Sequence, residues 1–573
     1  MDRKWWIALT ALPYIVGVVW ICLHPLLSVV TGELKCRGLY IDEHSLDSSY
    51  FRLEASYSSA SYTSPQLDSL CKAVQHKYGN DNNNNNNIVC HEHGGERTPL
   101  EVVAVTPVSN AIVPHAETIV LVVPPSTDWM RQDFPNGVLQ LIGHLSSPQD
   151  CPWLAKTVLI VSSSDTQTNT HQIVSEFVNS YLGGSSTQGA ATPPPLVLPT
   201  WLTAGMIRNL LVLDVSVDDG AKPIENRVQV LPQGRHGLLP NMDLVFLAVT
   251  LLQRTSFLDP RRHQVRLDTH PWVDQSKKWQ DWIEGKTTNQ KWSSWAREMG
   301  DLALFMYTLA MGPYAPHAPA LGRGVDALTI RVQFNGRPAR SVSRQVTEVM
   351  QKLEGLIRAL SNLHERLHHS ITLYLLPSPT KFVSHSEYLI PNILLLVPMI
   401  VTAVRIVCFD AKGFDGSTLA TTAPVVMFVG LAMQMASGFL GTAALNALLF
   451  LLYSSIPSLL RHWRERKPVT HRTIQSLQFL GCLAGIYIHA PLVLQHVSLA
   501  LPSSLLFSLL LSIPWSKSAA LLPRLAWGTV LVATWPPTVL VPLVFNSYTT
   551  YVNVVFTPLH IVLSIMWFSN FLD

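Results

Sequence analysis

Two apolar zones, one at each end of the chain, constrain this sequence more than any other feature. Residues Trp5 to Val30 contain no Asp, Glu, Lys or Arg, and the run is long enough to cross a hydrocarbon core of about 30 Å. The apolar core of a cleaved signal peptide is typically about 7 to 15 residues, so this run reads as a retained signal anchor. Arg3 and Lys4 precede it and assign the N-terminus to the cytosol. From Glu387 to the C-terminus only 14 of 187 residues are charged. Seven spans can be cut from that zone, at 388–408, 419–437, 440–460, 474–494, 498–514, 524–545 and 552–571. With the anchor, eight helices are expected. The loops that this topology makes cytosolic carry Arg405, Lys412, Arg461, Arg464, Arg466, Lys467, Arg472, Lys517 and Arg524, whereas the loops around Phe439, Val497 and Ser547 carry no Lys or Arg. Since orientation follows Lys and Arg in short loops, both termini are expected in the cytosol.

Three parts follow: an anchor (1–30), a water-facing domain outside the cytosol (31–386) and a membrane domain of about seven spans (387–573). Charged residues make up 14% of the chain, against about 25% in average soluble domains, which excludes disorder, a coiled-coil rod and an ordinary cytosolic enzyme. A net charge of +3 offers no field for nucleic acid. Cys36, Cys71, Cys90 and Cys151 fall in the middle domain. They allow two bridges in three connectivities, or buried free thiols.

Short β-branched runs recur at Val102–Val105, Thr118–Val123, Thr157–Val161, Asn209–Val217 and Leu328–Phe334, with helix-like stretches near 135–146, 171–182, 240–257 and 294–311. The alternation predicts an α/β domain whose mostly parallel sheet is flanked by helices. Val342, Val346, Val349, Leu353, Leu356, Leu360, Leu363 and Leu367 keep a strict 4,3 spacing, the seam of a long helix lying on the sheet or on another subunit. Trp272, Trp279, Trp282, Trp292 and Trp295 crowd a lysine-bearing stretch, which suits either a membrane surface or a core with a basic outer face.

Chemistry is sparse. The chain holds no P-loop, Gly-x-Ser-x-Gly or Cys-x-x-Cys motif. Cys90-His91-Glu92-His93 follows an asparagine run and reads as a solvated loop. His317 is a candidate ligand, although a lone histidine is more often simply hydrogen-bonded. Three expected strands run into carboxylates, namely Asp128, Asp165 and Asp214, and ligand groups collect at such strand ends; Asp128 and Asp165 would alternatively cap the helices that follow.

Leu353-Glu354-Gly355-Leu356-Ile357-Arg358, continuing through Asn362-Leu363-His364-Glu365-Arg366-Leu367-His368-His369-Ser370 to Leu373-Tyr374-Leu375-Leu376-Pro377 and Lys381-Phe382-Val383-Ser384, resembles the family of glycosylphosphatidylinositol (GPI) anchor attachment subunits of the GPI transamidase complex. Leu239-Pro240-Asn241-Met242-Asp243-Leu244, Ala327-Leu328-Thr329-Ile330 and Leu39-Tyr40-Ile41-Asp42-Glu43 also resemble family segments, Asp42 standing where a serine is usual. The resemblance implies a lumenal domain similar to M28 zinc aminopeptidases but non-catalytic, with no cofactor and no metal. It implies an endoplasmic reticulum protein that holds the GPI lipid beside a caspase-like cysteine protease subunit, among other membrane subunits, for transfer to substrate proproteins. The family positions that meet the lipid head group correspond to Tyr40, Asp42, Asp128, Asp165, His368 and His369, and Asp128, Asp165 and His368 are expected to form one polar pocket near the membrane. The competing readings are a membrane-anchored M28-type zinc aminopeptidase, which needs a fuller ligand set, and a transporter or receptor, which would usually carry ionisable residues inside its spans.

Overall fold

The computed structural model describes residues 3–23, 31–33, 69–78, 88–93, 99–107, 117–124, 133–165, 168–182, 205–218, 228–234, 240–252, 266–267, 290–311, 315–335, 339–361, 375–378, 381–409 and 471–512. The expected spans at 419–437, 440–460, 524–545 and 552–571 lie outside them.

An eight-stranded sheet organises the middle of the chain. Its inner strands β4 (Thr118–Val122), β5 (Thr157–Ser163), β6 (Ile207–Asp218) and β9 (Asp326–Asn335) are parallel and ordered β5-β4-β6-β9. Antiparallel strands flank them: β3 (Leu100–Val105) and β2 (Ile88–His93) on one side, and β7 (Val228–Leu231) with its parallel neighbour β8 (Arg266–Leu267) on the other. All five expected strands are present, and the parallel arrangement holds for the core of the sheet while its edges reverse. β4 is buried throughout and alternates between two cores. Ile119 and Leu121 join one beneath helices α2 (Leu70–Tyr78), α3 (Asp133–Ser146), α5 (Met242–Leu252) and α8 (Ala339–Ser361), whereas Val120 and Val122 join the other beneath α4 (Thr170–Tyr181) and α7 (Ala318–Gly322). A strand buried on both faces reads as a continuous apolar run, which is why its pattern was legible.

The heptad seam belongs to α8. Val346, Val349, Leu353, Leu356 and Leu360 are all buried in the core beside α3 and the sheet, so within the described residues the helix packs on its own domain. Gly137 on α3 lets the two helices approach, since a Cβ there would come within 2.8 Å of Val346 Cγ1.

Two sequence expectations need correction. The Cys90–His93 segment is not a solvated loop: it is edge strand β2, paired residue for residue with β3. Its Cys90 forms a disulfide with Cys71 of α2, the Cα atoms being 5.6 Å apart. Cys151 is a buried free thiol, and Cys36 lies outside the described residues. Asp214, in turn, does not terminate a strand. β6 continues to Asp218, and Asp214 pairs in register with Arg331 of β9, whose Nε donates to Asp214 Oδ2 at 2.8 Å.

Among the described residues three helices are long and apolar enough to cross a membrane, at Trp5–Leu23, Ser386–Cys408 and Arg472–Leu494. They lie in α1 (Arg3–Leu23), α9 (His385–Cys408) and α10 (His471–Gln495). The segment expected at 498–514 forms a shorter apolar helix of 16 residues, α11 (Val497–Ser512), roughly 24 Å at 1.5 Å per residue. α1 packs on α9 where Gly17 leaves only 3.0 Å from a would-be Cβ to the Pro391 carbonyl oxygen; small residues admit such backbone approach between spans. Inward polar groups find partners along the bundle: Tyr14 Oη donates to Leu505 O at 3.0 Å, Gln478 Nε2 to Leu511 O at 2.7 Å, and His489 contacts Gly485 O and Ser503 Oγ. A second sheet joins the domains. β1 (Thr31–Glu33), just after α1, and β10 (Leu375–Ser378) both pair antiparallel with β11 (Lys381–Val383), which leads through Ser384 into α9.

Candidate functional site

β4 has β5 on one side and β6 on the other, and the chain visits them in that order. The connections leaving β4 and β6 therefore turn opposite ways, which puts the switch point at which open α/β sheets bind ligands between β4 and β6. α3 returns over one face and α4 over the other. The loops beyond the carboxyl ends of β4 and β5 are short and polar. Buried Ser162 donates to Pro124 O at 3.1 Å, tying the end of β5 to the exit of β4, and Ser163 donates to Pro99 O at 2.9 Å.

Asp165 stands just beyond the end of β5, half-buried. Its N–H donates to Ser163 Oγ at 3.1 Å, and its Oδ2 accepts from the Thr168 hydroxyl at 3.1 Å. It does not cap the next helix. Asn169 does, in a reciprocal capping box with Gln172, which already satisfies the first amides of α4. Asp165 is thus held in place by its loop while remaining unnecessary to the helix.

The other expected site residues, Tyr40, Asp42, Asp128, His368 and His369, lie outside the described residues. Their neighbours in sequence bear on the arrangement. Ser361 at the end of α8 accepts from the N–H groups of Ala155 and Lys156 at 2.8 and 3.3 Å, which fixes it at the start of β5. Asp165 lies beyond the end of the same strand, and seven residues at about 3.3 Å each separate the two ends by roughly 23 Å. His368 and His369 follow Ser361 by seven and eight positions and precede β10, while Tyr40 and Asp42 follow β1.

Neither peptidase-like ligand candidate offers a vacant donor. Asp214 is committed to Arg331. His317 is fully buried, with Nδ1 2.8 Å from Thr329 Oγ1 and Nε2 3.1 Å from Gln233 O, and burial pushes its pKa down to about 4. Among the described residues no three His, Cys, Asp or Glu side chains gather into a metal-holding group.

Several segments carrying the family resemblance perform structural work. Asn241 starts α5, accepting from Asp243 N at 3.2 Å and donating to Asp326 Oδ2 at 3.2 Å. Thr329 holds His317, and Ser384 precedes α9 as its N-cap residue. Glu354 and Arg358 form a buried pair at 3.3 Å, with the Arg358 guanidinium 6.0 Å from the Trp153 ring. Sequence reasoning passed over this pair, which is visible as opposite charges at i and i+4 beside an apolar seam.

Comparison with known proteins bears on identity. A yeast (Saccharomyces cerevisiae) protein described as GPI transamidase component GAA1 is 27% identical over 207 residues, 36% of this chain and 29% of that relative, so the alignment spans less than a third of the yeast protein. The model of the family described as "Gaa1-like, GPI transamidase component" matches residues 113–569, from the middle strands of the sheet through almost all of the apolar C-terminal zone. The chain belongs to the Gaa1-like family of GPI transamidase components.

Proposed function

We propose that the chain is a non-catalytic subunit of GPI transamidase that binds the GPI lipid and presents it for attachment to the C-terminus of substrate proteins in the endoplasmic reticulum. Family membership over residues 113–569 carries this reading. The chemistry rests with a caspase-like cysteine protease subunit, while this subunit supplies position. Its parts are the anchor (1–30), the lumenal domain (31–386), built on a scaffold like that of M28 peptidases, and the membrane domain (387–573) of about seven spans, with both termini in the cytosol. The Cys71–Cys90 disulfide favours the lumenal side, because disulfides persist in oxidising compartments.

Within this arrangement Asp128, Asp165 and His368 form one polar pocket near the membrane that orients the lipid's ethanolamine phosphate. Asp128 and Asp165 attract the ethanolamine ammonium, and His368 and His369 pair with its phosphate alongside Tyr40 and Asp42. The half-buried Asp165 carboxylate, at a position other than the N-cap of α4, supports this contact.

The test is affinity purification in mild detergent combined with an anchoring assay at limiting lipid. A caspase-like protease should co-purify with wild type and with both Asp165→Ala and His368→Ala. A charge-assisted hydrogen bond is worth roughly 1.5 to 3 kcal/mol, so each variant should weaken lipid engagement by roughly ten- to a hundred-fold. Normal anchoring by both variants, or failure of any protease to co-purify, overturns the proposal.

A further inference from the structure

Helix α6 (Gln290–Met311) bears two tryptophans that the head-group site does not use, and it touches three marks of the membrane boundary. Trp295 Nε1 donates to the carbonyl oxygen of Cys22, the penultimate residue of α1, at 2.7 Å. The last carbonyls of a helix lack intrahelical partners, so this bond satisfies the anchor at its extracytosolic end. The same helix packs on β10, in the sheet that feeds α9, and on α11, whose first residue Val497 joins the core of the sheet domain.

One helix in contact with the end of α1, the approach to α9 and α11 runs along the boundary. Its inner face is Leu302, Phe305 and Leu309, all buried. Next to this face, about 100° around the helix, a partly exposed outer stripe is apolar as well. At about 100° per residue, Trp292, Met299 and Ala303 fall within roughly 20° of one line, with Trp295 and Met306 beside it. Trp292 is 53% exposed and Ala303 exposed, while Met299 is half-buried. Trp292 meets Trp295 edge-on, their ring centroids 5.7 Å apart. In a water-facing helix this side would carry polar groups, whereas tryptophan prefers the interfacial layer of a bilayer.

We infer that the outer face of α6 lies in the head-group and upper acyl region of the lumenal leaflet, making this helix the domain's own contact with the lipid surface. Continuity with the span ends selects the bilayer as its occupant. The Trp295 bond to Cys22 O then ties that surface helix to the anchor, and Leu302, Phe305 and Leu309 tie it to the sheet core, so the lipid surface sets the tilt of the domain. The inference rests on the spanning assignment of α1 and α9.

The test is photo-cross-linking of the full-length chain in native membranes, with benzoyl-phenylalanine placed at Trp292, at Ala303, at buried Leu302 and at Trp5, which is exposed within the anchor span. Trp292 and Ala303 should each give phospholipid adducts by mass spectrometry, as should Trp5, while Leu302 should not. The two outer positions provide the reading twice, should one substitution impair folding. Adducts exclusively to another protein, or no lipid adduct at either outer position while Trp5 is labelled, overturn the inference. Absence of lipid adducts at Trp5 would instead refute the spanning assignment.

Discussion

Replacing Glu354 by glutamine should stabilise the protein, and by more at neutral than at acidic pH. Glu354 is 1% exposed, its Oε1 has no hydrogen-bond partner among the described residues, and Oε2 takes a single bond from Arg358 at 3.3 Å. Burial raises its pKa from 4.5 to about 7, against the opposing pull of Arg358. A carboxyl whose folded pKa lies above its unfolded value favours the folded state fully below the unfolded value and loses that contribution as pH rises through the folded one. Between 4.5 and 7 the loss approaches about 3 kcal/mol, at 1.36 kcal/mol per pKa unit. Glutamine keeps the shape and cannot ionise. The variant should therefore exceed wild type by about 3 kcal/mol at pH 7.5 and about 1 kcal/mol at pH 5. For a domain of about 350 residues the unfolding entropy converts these into roughly 4 °C and 1 °C in Tm. Thermal unfolding of the full chain in nanodiscs, followed by tryptophan fluorescence, reads the gap. A gap that is absent or negative at pH 7.5, or that widens on acidification, refutes the account of this pair.

Two further perturbations test the frame around the site. Removing the Cys71–Cys90 bridge, which closes a separation of 19 residues, with Cys71→Ser should cost about 3 kcal/mol, read as a lower Tm that reductant does not depress further. His317, held at about 4 by burial, should remain neutral across the physiological range in imidazole NMR. Because its folded pKa lies below the unfolded value, the stability it confers is complete above about 6.5 and is lost as pH falls towards 4; His317→Gln should flatten that acid limb.

What could be read from the sequence tracks how local the cause is. β4, β5 and β6 were legible because strands buried on both faces must be continuously apolar, and α8 because its seam repeats every three and four residues. β2 was not, since an edge strand tolerates His91, Glu92 and His93 and is secured by β3 and by a disulfide to Cys71, a partner that cysteine counting left open. The small sheet unites Thr31–Glu33 with Lys381–Val383, a pairing between segments too short and too distant for any window to find. Asp214 was misjudged as a strand end because the charge that lets β6 continue through it, Arg331, lies on a strand more than a hundred residues away. The site was legible only in part. The Ser162-Ser163-Ser164-Asp165 run does mark the end of β5, but it did not reveal that Asn169, not Asp165, caps α4.

The central claim is that this subunit holds the GPI lipid, and native mass spectrometry of the complex purified in mild detergent from cells supplying GPI tests it most directly. Wild type should retain a mass matching one GPI lipid per chain, and combined Asp128→Ala, Asp165→Ala and His368→Ala substitution should lose that mass while every protein subunit remains bound. Equal lipid retention by the substituted complex, or a wild-type complex that carries no GPI, contradicts it.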